Sequence, residues 1–142
     1  PDILMLHNPG RGFCDYTGGN PVGNSFTSAY IEQHSPKLVL CGHIHGGGPN
    51  ARNPNNKQGV NVHTSSITGK RTVVVNPGNL GRFDLMTYPN LETVKEFEHG
   101  TFVILEVEED GTPTKVEQYS VMPDKQQGMV KAPRKLREFN LR

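Results

Sequence analysis

Two stretches of the chain, "ILML" at residues 3–6 and "LVLC" at 38–41, are apolar at every position. That is the pattern of a strand covered on both faces, because a half-exposed strand would alternate. Between them "NSFTSAYIEQHSP" offers Asn24 and Ser25 as cap candidates, apolar residues at Phe26, Ala29 and Tyr30, and a terminator in Pro36, which together predict a short helix. Later apolar segments come in pairs around turn residues. "VNVHTSSI" and "RTVVVN" flank "TGK", a hairpin with Gly69 in its turn, and "TFVILEVEEDGTPTKVEQYSV" is a second hairpin turning at Asp110 and Gly111. Residues 46–59, "GGGPNARNPNNKQG", lack periodicity and are rich in Gly, Pro and Asn, so they read as a mobile loop able to close over a ligand. Residues 83–100 are ambiguous by pattern.

Strand, helix and strand in that order imply a crossover joining two parallel strands of one sheet, and hence an α/β fold with a mixed sheet and added hairpins. If the two strands are neighbours, their carboxyl ends share the edge where open α/β sheets hold ligands. His7 follows the first apolar run, and Gly42-His43-Ile44-His45 follows the second. On an extended backbone, residues i and i+2 point the same way at roughly 6.5–7 Å. His43 and His45 can then face one cavity together with His7, as candidate metal ligands. Neutral imidazole suits several transition metals and does not choose among them. His34, at a helix end, and His99, in a charged stretch, read as surface residues, and His63 as part of a hairpin. Cys41 reads as a small core residue.

A chain of 142 residues, one third of them hydrophobic, is one modest domain or a piece of a larger one. Its formal charge of +1 implies no strong field toward nucleic acid or a membrane surface. The charge is uneven, however. The last twelve residues, "KAPRKLREFNLR", hold five Lys or Arg against one Glu. We therefore divide the chain into a domain over residues 1–122 and a basic tail over 123–142, a solvated extension or a contact for nucleic acid or another acidic partner. Two cysteines, Cys14 and Cys41, make a disulfide framework improbable and favour a reducing, cytoplasmic compartment. No apolar run approaches the ~20 residues of a spanning helix, so no membrane partner is expected. The opening "PDILML" has neither the basic start nor the length of a secretory signal and enters a strand at once, so residues upstream are expected.

The series "LMLHNPG", "PVGNSFTSAYIEQHSPKLVLCGHIH" and "VVVNPGNLG" resembles the carboxyl-terminal half of the calcineurin-like metallophosphoesterases. In that family a His ends one strand, Gly-His-x-His ends the next, and Asn-Pro-Gly turns after a later one. The resemblance spans residues 1–82, and the last hairpin is similar to the closing strands of the fold. It implies a four-layer α-β-β-α sandwich with a dinuclear centre at the strand ends. It further implies that His7 and His43 ligate one metal and His45 the other, that Gly42 lets the backbone pass close by, and that Asn76, Pro77 and Gly78 form a structural turn. The implied cofactors are two divalent metal ions, with Mn, Fe, Zn, Ni and Co all admissible. The implied substrate is a phosphate mono- or diester, hydrolysed by metal-activated water. Asn24 and Ser25 are candidate substrate-binding residues, since free N–H groups at a helix start favour phosphate; the plainer alternative is that they only cap the helix.

The chain departs from the family pattern in two ways. Asn8 and Pro9 follow His7, where many relatives have two prolines. The Asp-x-His, Gly-Asp and Gly-Asn-His motifs, which would supply the bridging carboxylate and the histidine that protonates the leaving group, do not occur. No catalytic residue is therefore assigned within this chain, and its expected partner is the missing amino-terminal half, in cis or in trans. Two other readings stay open: a catalytically inactive phosphoesterase-like scaffold or binding module in a larger assembly, and one structural Zn held by the three histidines.

Overall fold

The computed structural model describes residues 1–123 and 131–142. Residues 124–130, part of the segment read as a basic tail, lie outside the described residues. The described elements are β1 (Ile3–Met5), β2 (Tyr16–Thr17), β3 (Asn20–Pro21), α1 (Ser25–His34), β4 (Leu38–Leu40), β5 (Val60–Thr64), β6 (Arg71–Val75), β7 (Phe83–Met86), β8 (Thr93–Phe97), β9 (Gly100–Val107), β10 (Pro113–Val121) and β11 (Arg134–Asn140).

One sheet has the order β1-β4-β6-β5, with β1, β4 and β6 parallel and β5 antiparallel to β6. The second is antiparallel, in the order β11-β10-β9. Successive residues of the central strands serve opposite layers. Leu38, Val73 and Val75 join Val116 and Leu141 in a core shared with the second sheet, whereas Val39, Cys41 and Val74 pack with Ile31 of α1. The first sheet is thus sandwiched between a helix and a second sheet. Covering on both faces is why β4 is apolar throughout and β6 from Val73 to Val75, and side-chain alternation does the sorting.

Helix α1 begins and ends where its sequence signals stand. The Asn24 side chain accepts from the Thr27 N–H at 3.1 Å, and Ser35 closes the helix in the left-handed region just before Pro36. Its buried face is not the one the apolar residues mark: Ile31 is fully buried, while Phe26 is 85 % exposed and Tyr30 37 %. A single anchoring residue suffices here because the preceding loop also fixes the helix start, through Asn24 N–H to the Pro9 carbonyl and Arg11 N–H to the Asn24 carbonyl.

Two further segments differ from expectation. Residues 83–100, ambiguous by pattern, contain the antiparallel pair β7–β8. The end of the basic segment is a strand, with Leu141 buried and Phe139 packed against the same core. Its charges obscured the spacing of Leu136, Phe139 and Leu141. Those charges find partners within the chain: Lys135 pairs with Glu117 at 2.5 Å, Arg142 with Glu108 at 3.3 Å, and Arg137 donates to the Pro49 carbonyl and to Gln118. Among the described residues no helix is long and apolar enough to cross a membrane. Cys14 and Cys41 are buried and unpaired, and burial pushes both thiols up, Cys41 to about 12.

Three carboxylates are held by hydrogen bonds, Glu32 and Asp110 between layers and Glu117 within the second sheet. Glu32 of α1 accepts from the Ser66 hydroxyl and N–H and from His63 of β5, all at 2.6 Å, and these bonds lower its pKa to about 2. Lys135 and Tyr119 hold Glu117 at about 2, and Lys37 and Thr112 hold Asp110 at about 2. A carboxylate with a depressed folded pKa binds fewer protons folded than unfolded, so its contribution is present above the unfolded value of ~4.3. It is lost as pH falls toward 2. Urea unfolding followed across pH should therefore give a flat free energy above about pH 5 and a steep decline below ~4, with a shallower decline in Glu32→Gln.

Candidate functional site

Parallel pairing brings the ends of β1 and β4 to one edge. Leu6 N–H donates to the Leu40 carbonyl at 2.8 Å, and Gly42 N–H to the His7 carbonyl at 3.1 Å, so the ladder continues one step past both strands. There the His7 and His43 rings meet, their centroids 4.7 Å apart and their planes tilted by 54°. Both side chains are exposed, and neither ring is hydrogen-bonded among the described residues.

His45 does not join them as an extended backbone would require. His43 adopts φ 60, a left-handed conformation uncommon for any residue but glycine, and Ile44 N–H closes a tight turn onto the Gly42 carbonyl at 2.6 Å. The chain then enters a 3-10 turn at His45–Gly47. The His45 ring points instead at an aromatic cluster, edge-on to Phe83 at 4.7 Å and to Phe97 at 6.0 Å. Burial, and secondarily the nearby His43, lower its pKa below the ordinary imidazole value. The histidines thus divide two and one.

Residues 46–59 are built as a packed support and not as a free loop. A Cβ on Gly47 would overlap the Cys14 carbonyl, and one on Gly48 would overlap Gly78, so these glycines permit close backbone contact. Gly42, by contrast, would meet only the His7 carbonyl, at an ordinary 3.9 Å, and close approach does not require glycine there. Asn56 is fully buried; it accepts from Tyr16 N–H at 2.7 Å and donates to the carbonyls of Tyr16 and Gly46. From the second sheet, Gln118 donates to the Gln58 carbonyl at 2.6 Å and Arg137 to that of Pro49 at 2.6 Å.

Asn76 completes the frame. Its fully buried carboxamide donates to the Ile44 carbonyl at 3.0 Å and to that of Cys14 at 3.4 Å, and accepts from Gly78 N–H at 3.0 Å. Thr101 of β9 clamps the same turn by donating to the Pro77 carbonyl at 2.6 Å.

Two cavities meet at His43. One, of about 490 Å³, is bordered by Asn8, Asn24, Ser25 and Phe26 together with His43. Asn24 and Ser25 therefore stand beside a histidine of the cluster, although the Asn24 side chain is already engaged as the cap. The other, of about 610 Å³, runs from His43, Ile44 and His45 to Arg52, Phe83, Lys95 and Phe97. Phe83 and Phe97 are stacked at 4.5 Å, and the Lys95 ammonium lies 4.8 Å over the Phe97 ring. Burial, with Arg52 adding repulsion, lowers the Lys95 pKa.

No protein-family model, curated protein or solved structure matches this chain. The donor set is therefore judged on its chemistry. With metal–nitrogen bonds of ~2.0–2.1 Å, two imidazoles on one tetrahedral ion have ring centroids roughly 5 Å apart, so the His7–His43 pair fits two positions on one ion. Among the described residues no cluster of three or more His, Cys, Asp or Glu side chains is arranged to hold a metal. His34 lies against Tyr30, ring centroids 4.3 Å apart and tilted by 34°, His63 is bound by Glu32, and His99 is hydrogen-bonded to Asn50 at 3.0 Å.

Arg52, Asn56, Phe83, Lys95 and Phe97 carried no sequence signal, because they reach the site through tertiary packing of segments without clear periodicity. Two measurements check the frame. Asn76→Leu, similar in size, strands the Cys14 carbonyl and the Gly78 N–H and leaves the Ile44 carbonyl only its bond from Gly47 N–H, and should cost about 2 kcal/mol in urea unfolding. At the left-handed position, His43→Gly should be more stable than His43→Ala by about 1 kcal/mol.

Proposed function

We propose that this chain is the histidine-bearing half of a dinuclear-metal phosphoesterase site. The observation that carries the reading is the pairing of His7 and His43 at 4.7 Å on the carboxyl ends of adjacent parallel strands, with His45 set apart from them. A two-plus-one division is what two ions, each taking its own ligands, call for. The left-handed backbone at His43 adds weight, since strain at an exposed histidine contributes nothing to folding and is typical of functional positions.

His7 and His43 would hold one ion and His45 the other, with the carboxylates and the proton donor supplied by a second segment, in cis or in trans. When bound, the ions supply Lewis-acid and water-activating chemistry. The residues of this chain do the positioning. Asn76 fixes the turn between His43 and His45. The first turn of α1, beside His43 in one cavity, presents backbone N–H groups to a phosphate. The need for a second segment is supported by an independent feature, since β1 is an edge strand with Ile3 44 % and Met5 76 % exposed. Next to it an apolar groove runs over Leu6, Leu40, Val103 and Leu105. Although β1 is only three residues long, an exposed apolar edge beside an apolar groove is a surface that a neighbouring segment can cover. The fourth, helical layer of an α-β-β-α sandwich would come from the same segment.

A scaffold without catalysis is the second reading, favoured by the lack of a third metal donor beside the histidine pair among the described residues. Metal analysis and p-nitrophenyl phosphate ester hydrolysis separate the two. Two dications about 4 Å apart repel strongly unless carboxylates or a bridging anion offset them. Residues 1–142 alone should thus take up at most one transition metal and give no turnover above background. Joined to a segment bearing Asp-x-His and Gly-Asn-His, the chain should bind two metals and hydrolyse the ester, and His43→Ala should abolish both gains. Turnover by the isolated chain would refute the divided site, and a joined form without metal or activity would establish the scaffold.

A further inference from the structure

We infer that the cavity between His43 and the β7–β8 hairpin receives a planar aromatic ring, so that the ligand of this chain is an aryl-type phosphate and not an aliphatic or inorganic one. The inference takes only the phosphate from the phosphoester reading. The aromatic half rests on the cavity itself.

At about 610 Å³ the cavity lies within the ~300–1,000 Å³ typical of small-molecule sites. Its lining is apolar at the hairpin end, where Phe83, Leu85, Val94 and Phe97 face it, and no acidic residue borders it. Two cations do, Arg52 and Lys95. Among the described residues neither has an ion-pair partner, so both remain available to an anion. The Lys95 ammonium is held over the Phe97 ring and close to Gly46, in a partly buried place that lowers its pKa and that Arg52 makes less favourable still. Arg52 is exposed and Lys95 half-buried, so both positive groups stand at the rim of the aromatic floor within reach of an anion.

An aliphatic phosphate would satisfy the cations and leave the floor wet. A neutral ring would cover the floor and leave the cations unpaired. A ring bearing phosphate uses both, by stacking and by charge. His43 orients it. That residue borders both this cavity and the one at Asn24 and Ser25, so the phosphate end belongs near His43 and the ring end near Phe83 and Phe97. The edge-on contacts of His45 with both phenylalanines pass any change at the ring to the same histidine turn.

Calorimetric titration of the 142-residue chain with phenyl phosphate, glycerol 1-phosphate, inorganic phosphate and benzoate tests this, with ring proton signals of Phe83 and Phe97 observed by NMR. Phenyl phosphate should bind about tenfold or more tightly than glycerol 1-phosphate, and should shift both rings. Phe83→Leu should shrink that gap to about twofold. Gly46→Ala leaves the aromatic floor intact, but its Cβ would lie 3.1 Å from the Lys95 ammonium and displace it. It should weaken phenyl phosphate several-fold, with circular dichroism unchanged. Equal affinity for phenyl and glycerol phosphates would overturn the aromatic assignment while the phosphoester reading stands. Benzoate binding as tightly as phenyl phosphate would overturn the proposal from the other side, by removing phosphate from it.

Discussion

A single carboxamide, that of Asn76, holds the functional edge of this protein in register. It sits where β6 ends, fully buried, and engages the loop after β1 through Cys14, the histidine turn after β4 through Ile44, and its own turn through Gly78. Those are three different stretches of chain. The Ile44 carbonyl also accepts from the Gly47 N–H, but the Cys14 carbonyl and the Gly78 N–H are bonded by Asn76 alone among the described residues, and a buried unpaired backbone group costs about 1–3 kcal/mol. A carboxamide is suited to this because it donates twice and accepts in one plane. The close contacts of Gly47 with Cys14 and of Gly48 with Gly78 then follow, since a turn drawn onto Asn76 leaves no room for a Cβ.

The frame works because the sheet beneath it is held from both sides. Leu38, Val73 and Val75 anchor one face to the antiparallel sheet, and Val39, Cys41 and Val74 anchor the other to α1. With alternate residues of the two central parallel strands committed in this way, a slip of one residue would exchange the two layers. The strand ends are therefore fixed relative to one another, and so are His7 and His43. The second sheet does more than cover apolar area. Through Thr101, Gln118 and Arg137 it bonds directly to the loops at the functional edge, so the site stands on both sheets.

The parts of this structure legible in the sequence are those governed by local rules. The continuous apolar runs identify β1 and β4, the Asn24 cap and Pro36 bracket α1, and Gly69 and Gly111 mark turns with positive φ. The proximity of His7 and His43 followed from topology alone. The position of His45 did not, because the i, i+2 rule presumes an extended backbone and the left-handed φ at His43 breaks it. Residues 46–59 have the composition of a loop, and nothing local reveals that Asn56 is buried or that Gly47 and Gly48 are contact glycines. Charge masked β11, and the β7–β8 hairpin, with most of its residues exposed, lacks the regular alternation along both strands that would give it away.

The proposed division of labour at His43 has a physical logic independent of any particular metal. A histidine at the end of a parallel strand points out over the sheet edge, and one after a left-handed residue is turned aside from its predecessor. The turn thus gives adjacent histidines different surroundings, His43 against His7 and His45 against Phe83. An exposed imidazole pair is open to solvent and so accessible to a cation. An imidazole held edge-on by two phenylalanines is already aimed, and its burial lowers its pKa and so favours the neutral form. On this reading the strain at His43 is what separates the two roles, and the aromatic cluster is what keeps the second one preorganised.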